Sequence, residues 1–304
     1  MDIPGFTLKE KIGQSSMTEV WEGYQPSLQR TVTLKVLRKE FSSVPEEVEL
    51  FHSEARETAR LLHDGIVQLY DAIRLPDCHC LVMEHVTGPT LGYLLQDGPL
   101  AYDKAVNIVK QIAEALKYAW NSSNLIHRNI TPRSIMMDGP VTAKLGYVGQ
   151  SLRVDPMNPD KRLIPGMIVG TPYYMSPEQA MGSTQFDFRA DMYGLGTTLH
   201  HMLTGIMPFA DLDPLDALKS QIFDEISLPK EFEQCVPPVL REIHKRLLMK
   251  NPNHRFPKWE EVCDYIAEYM QETAEVEEEN ITPNSQKKRR IIVRSKSVSR
   301  SRKK

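Results

Sequence analysis

Residues 170–180 read "GTPYYMSPEQA" and close a stretch, 154–177, in which Pro and Gly cluster. That clustering marks a long loop, and a long loop inside a compact domain is usually functional. Downstream, "DFRADMYGLG" at 187–196 opens a helical pattern that runs to residue 204. Further helical patterns cover 238–248 and 258–272, with Arg255 of "NPNHRF" between them. Upstream, "LIHRNITPRSIMM" at 125–137 follows "DKAVNIVKQIAEALKYAW", which puts Val109, Ile112, Leu116 and Ala119 on one helical face, with Asp103 near its start.

The first 85 residues favour strands. "FTLKEKIG", "TEVWEGYQ", "TVTLKVL", "IVQLYDAI" and "CHCLVMEHV" are short, β-branched or aromatic, and separated by turn-like breaks. One helix interrupts them. Ser43 with Glu46 three residues on predicts a capping box, Pro45 suits the first turn, and Val48, Phe51, Ala55 and Leu62 recur at helical spacing.

Several weak signals therefore stand in one order. Gly13 and Val20 flank a turn, Lys35 lies on a strand in "VTLK", and Glu54 lies mid-helix. His127 and Arg128, "GTPYYMSPEQA", "DFRADMYGLG" and Arg255 follow. Each occurs by chance; the ordered set does not. The chain closely resembles a Ser/Thr protein kinase domain of the bacterial type. The resemblance implies a bilobal α+β fold. A small antiparallel β-sheet lobe with one helix (1–85) hinges near Glu84 to Val86 on a larger, mainly α-helical lobe (86–272). The nucleotide cleft lies between the lobes.

The resemblance also implies roles. Lys35 would hold the α- and β-phosphates and pair with Glu54. Gly13, Val20, Glu84, Val86 and Met136 would complete a nucleotide site, with Val20 and Met136 sandwiching the base. Thr33 stands where the family has a small alanine over the adenine. His127, Leu69, Thr58 and Val148 would stack as an internal spine. Arg128 belongs to the catalytic loop, Asp191 would accept its backbone amides, and Glu178 would form a buried pair with Arg255.

The working positions depart from the family pattern. "IGQSSMTEV" keeps Gly13 only, with Ser15 and Thr18 in the other two glycine places, where side chains should hold backbone amides away from phosphate. Asn129 replaces the aspartate that accepts the hydroxyl proton, and an amide has no useful basicity. Ser134 replaces the asparagine that binds the second magnesium. Thr131 stands in the place of a lysine or threonine. Tyr147, in "YVG", replaces the aspartate that bridges to magnesium, and a neutral phenol is a poor ligand for that hard cation. Residues that hold the fold remain and those that perform the reaction are replaced. The expectation is a catalytically inactive pseudokinase acting as a binding, scaffolding or allosteric module. No metal is expected, and ATP without magnesium is the one cofactor left open. The runner-up is a weakly active ATP-dependent Ser/Thr kinase with a non-standard site.

Composition adds compartment and partners. The chain has 304 residues, 41% hydrophobic, with four cysteines. That count fits a reducing compartment rather than a disulfide scaffold. No apolar run approaches the ~20 residues of a membrane helix, and "MDIPGFTLKE" has no apolar signal-peptide core, so the expected location is cytoplasmic. "CHC" at 78–80 reads as ordinary strand residues, with His79 facing opposite Cys78 and Cys80. Residues 287–304 hold ten Lys or Arg and no acid, so the net −3 divides into a −13 body and a +10 tail. Composition marks 273–304 as an acidic linker followed by a disordered, Ser/Arg-rich basic tail. The expected partner is another protein, a kinase or signalling component. The tail suits nucleic acid or an anionic surface, or phosphorylation of Ser295, Ser297, Ser299 and Ser301; a nucleic-acid-associated protein is thus a third reading.

Overall fold

A computed structural model describes residues 3–76, 78–146, 151–154 and 163–281, with side chains except at Glu54 and 272–281. Tyr147, Val148 and the basic tail lie outside the described residues.

The strand-rich start folds as an antiparallel sheet. Its strands are β1 Thr7–Gln14, β2 Thr18–Gln25, β3 Arg30–Leu37, β4 Leu69–Leu75 and β5 Cys78–Glu84, in the order β1-β2-β3-β5-β4. Period-two alternation divides β3 between two cores. Val32, Leu34 and Val36 join Cys78, Cys80 and Val82 on one face. Leu37 joins Leu81 and Met83 on the other, against Val48, Phe51 and Ala55 of helix α2, Pro45–Thr58. His79 faces away from the two cysteines and meets His52 of α2, Nε2 to Nδ1, at 3.2 Å.

Two expectations about α2 are corrected. Its N-cap is Val44, which makes no side-chain cap, so the Ser43–Glu46 capping box does not form. A short helix α1, Lys39–Ser42, ends on Ser43 instead. The helix stops at Thr58, and Leu62 beyond it is 79% exposed rather than part of the stripe.

The larger lobe is helical. It contains α3 Leu91–Leu94, α4 Tyr102–Ser123, α5 Pro177–Ala180, α6 Arg189–Thr204, α7 Pro214–Phe223, α8 Phe232–Cys235 and α9 Pro238–Leu247. The hydrophobic face of α4 buries Val109, Ile112, Leu116 and Ala119, and nearly the whole of α6 is buried. Short pairs β6 Leu125–Ile126 with β9 Leu152–Arg153, and β7 Ile135–Asp138 with β8 Thr142–Leu145, bracket the catalytic-loop sequence. The last helix, α10 Trp259–Ile281, runs past residue 272. Its Glu- and Ala-rich end is a strong helix former. Residues to Ala267 form one unit and Glu268–Lys304 a second. No helix among the described residues is long and apolar enough to cross a membrane.

Candidate functional site

Sheet register brings the first three residues together. Gly13 pairs with Val20, and Val20 pairs with Lys35, so the three stand in one row across β1, β2 and β3. They line a cleft of about 630 Å³ together with Asn129, Thr131 and Ser134. That volume is in the range of small-ligand sites. The Glu54 side chain lies outside the described residues.

The β1–β2 turn is closed on itself. Ser15 Oγ accepts from the Met17 and Thr18 amides at 3.2 and 3.0 Å and lies 2.9 Å from Thr18 Oγ1. The Ser15 amide donates to the Thr18 carbonyl at 2.8 Å. Arg38 ties the turn down from the end of β3, its amide to Met17 O at 2.9 Å and its guanidinium to Ser16 O at 3.1 Å. Amides that a glycine-rich turn would offer to phosphate are already bonded to a hydroxyl.

The catalytic-loop sequence is held from beneath. Asp191 accepts from the His127 and Arg128 amides, both at 2.7 Å, and Arg128 takes φ +69°. His127 Nε2–H donates to Gly146 O at 2.9 Å while its Nδ1 accepts from the Asn129 amide at 3.3 Å. Thr171 donates its hydroxyl to Asn129 Oδ1 at 2.9 Å. Ser134 is turned onto the backbone, accepting from Thr131 N at 3.0 Å and donating to Thr131 O at 2.9 Å. Gln179 holds the Arg128 carbonyl at 2.8 Å.

The hinge end is arranged differently. Glu84 forms an ion pair with Lys144 of β8 and accepts from the Gln68 amide at 3.2 Å. Thr33 Oγ1 lies 3.2 Å from His85 Nδ1, so the hydroxyl in place of the family's alanine is bonded across to the hinge. Val86 is buried in the α2 core and Met136 packs at its edge. Among the described residues, Glu84, Val86 and Met136 do not line the cleft.

Glu178 and Arg255 form a bidentate pair, 2.6 and 2.9 Å, with Arg255 side chain 0% and Glu178 8% exposed. The remaining Arg255 donors reach the Met249, Arg189 and Lys250 carbonyls. Behind Glu178, Gly182 takes φ +63°, and a Cβ there would stand 2.7 Å from Gly166 Cα, so this contact requires glycine on both counts.

Burial sets the protonation of the buried groups. It pushes His127 down to about 4, against the Gly146 carbonyl that favours the imidazolium. It pushes His200 down to about 4 and His244 to about 3 where they meet at 3.2 Å beneath α6. Asp191 is raised to about 6 by burial, opposed by its two amides and by Arg128. These three histidines are held neutral in the folded chain where an unfolded chain protonates them below the usual 6.5. Their contribution is complete above pH 6.5 and lost as pH falls towards 4. Asp191 has the opposite sign, losing stability as pH rises from 3.8 to 6. Each histidine loses about 2 kcal/mol between pH 7.5 and 5 and Asp191 returns about 1.4, a net loss of about 4–5 kcal/mol. Thermal unfolding at the two pH values checks this; an unchanged or higher Tm at pH 5 would contradict it.

The model of the protein kinase domain matches residues 6–266. The chain belongs to the protein kinase domain family. Among relatives, the kinase domain is 32% identical to serine/threonine-protein kinase PksC of Streptomyces coelicolor, over 85% of this chain and 48% of that protein. It is 32% identical to PknA of Mycobacterium tuberculosis, over 86% of this chain and 60% of that one. It is 30% identical to PrkC of Bacillus subtilis, over 83% and 38%. This chain therefore spans less than two thirds of the length of these relatives.

Kinase domains work with magnesium nucleotide, and the described part of this cleft does not suit the ion. Its lining offers hydroxyls, amides and two cations, Lys35 and Arg133, with no carboxylate. Magnesium prefers carboxylate and phosphate oxygen. The Ser134 hydroxyl is committed to Thr131. Residues of this kinase domain that sequence reading passed over include Thr171, Arg133, His85 and Lys144. Only Ser15 carried a local sign of its structural role, because Ser followed by Thr three residues on suits a side-chain-bonded turn.

Proposed function

We propose that this kinase domain is a pseudokinase, a binding module that serves another protein as scaffold or allosteric partner and does not transfer phosphate. The observation that carries this is the Thr171 hydroxyl bond to Asn129 Oδ1. The residue in the place of the catalytic base is an amide whose oxygen is already an acceptor, with no basicity to take a proton. The committed Ser134 hydroxyl and the self-bonded Ser15 turn support the same conclusion. From Leu152 to Gly170 there is no Ser, Thr or Tyr, so that part of the loop offers no site for an activating phosphate. The competing reading is a weakly active Ser/Thr kinase, favoured by the names of the relatives, which are kinases.

Nucleotide binding separates the two. A ligand at a hundredfold excess over its Kd stabilises by about 2.7 kcal/mol, which a thermal shift detects. ATP should stabilise this chain weakly or not at all, and equally with magnesium or with EDTA. A large stabilisation that requires magnesium would favour the active kinase.

A further inference from the structure

Helix α7 turns apolar side chains outward. Ala217, Ser220 and Gln221 face the protein, while Leu215 is 71% and Phe223 80% exposed. At about 100° per residue, Leu215 and Ile222 fall on one line opposite those three, with Leu218 and Phe223 on its flanks. A surface helix normally does the reverse. Large apolar side chains exposed together mark interaction sites.

This ridge leads into a groove of about 870 Å³. One wall is the segment after α7, which leaves the helix extended at Asp224 (φ −107°, ψ 147°) and puts Ile226 and Leu228 on the groove. The other wall is α9, and the buried Phe232 adds to the lining. The α7 end is fixed in place. Lys250 Nζ donates to Gln221 O at 2.8 Å and to Tyr193 Oη at 2.9 Å, so its ammonium caps the C-terminus of α7. Groove and Lys35 cleft share no described lining residue.

Charge selects the occupant. Residues 211–233 hold seven Asp or Glu, all exposed, against Lys219 and Lys230, a net of −5. Lys219 is itself tied to Asp216 at 2.6 Å. Across the groove, α9 adds Glu242 and Lys245, and Arg241, which pairs with Glu233. A second copy presenting this face would set like charges against each other, which suppresses a symmetric dimer. A basic segment with apolar side chains at its centre satisfies both features, since the groove buries the centre and the carboxylates meet the flanks.

We propose that this groove docks a basic peptide segment of another protein. Its aliphatic side chains enter beside Phe232 and cover Leu215 and Phe223, and its Lys or Arg residues meet the acidic rim. The inference goes beyond the reading above, because such a face serves the domain whether or not phosphate is transferred.

The test is fluorescence anisotropy of the full chain with three labelled synthetic peptides. One has an Ile-Ile-Leu centre between Lys and Arg flanks. The second keeps those flanks around Gly-Ser-Gly, and the third sets the Ile-Ile-Leu centre between Glu flanks. Only the first should bind. Leu215→Glu with Phe223→Glu, both at exposed positions, should weaken it about tenfold or more. Asp224→Lys with Glu225→Lys should also weaken it and flatten its salt dependence. Equal binding of the Gly-Ser-Gly peptide would reduce the effect to bulk attraction and overturn the proposal. Binding of the Glu-flanked peptide as tight as the first, binding unchanged in both double variants, or no binding of any peptide would overturn it too. Concentration-dependent dimerisation in sedimentation that Leu215→Glu with Phe223→Glu abolishes would give the face to a second copy and likewise overturn it.

Discussion

Given magnesium ATP and a general protein substrate, the purified chain should incorporate no phosphate above a Lys35→Met control. A positioned general base is worth about 10²–10⁴ in rate, and a bound metal several kcal/mol more. Asn129 cannot act as that base, and Thr171 already engages its oxygen. Ser134 spends its hydroxyl on the Thr131 backbone. By the family resemblance, Tyr147 stands at the place of the metal-bridging aspartate. Losing base and metal together lowers the rate by roughly 10⁶ or more. Restoring one part should not help: Asn129→Asp alone should remain at background, because Ser134 and Tyr147 still give magnesium no carboxylate. Metal-dependent incorporation that Lys35→Met abolishes would sink the pseudokinase assignment.

Arg255→Ala should destabilise the fold strongly. The guanidinium is fully buried and uses all five N–H groups, two of its bonds to Glu178 and the rest to backbone carbonyls. Truncating it leaves the Glu178 carboxylate buried without its cation and three carbonyls short of a donor. Breaking a buried pair from one side costs about 3–5 kcal/mol, or roughly 10 °C in Tm for a domain of this size. Glu178 is on α5, directly after the Thr171–Tyr174 platform. The variant should therefore also expose backbone amides of that platform to hydrogen exchange. A Tm shift below one degree would show that the pair contributes nothing to stability.

Local chemistry made much of the fold legible. The β-branched run around "VTLK" announced a strand carrying Lys35, and β3 is that strand; its alternation places Val32, Leu34 and Val36 in one core. The spacing of Val48, Phe51 and Ala55 announced a helix, and the structure packs it on the sheet. Local chemistry failed at the ends of that helix. Ser43 and Glu46 have the spacing of a cap, but Ser43 is taken as the end of α1, so α2 starts uncapped at Val44. Leu62 has helical spacing, but the helix ends before it at Thr58.

The site divides along the same line. Which residue types stand at Asn129, Ser134 and Tyr147 was a matter of chain order alone. What those residues do depends on partners far along the chain. Asn129 is oriented by Thr171, forty-two residues on. Thr33 is bonded to His85 across fifty-two, and Glu84 is paired with Lys144 across sixty. Side-chain propensity acts over a few residues and cannot announce such pairs. Sequence alone determined which residue types stand at 129, 134 and 147: an amide, a hydroxyl and a phenol. Only the tertiary structure decided that the described polar lining of the cleft consists of hydroxyls, amides and two cations, because packing distant segments together brings those groups to one place.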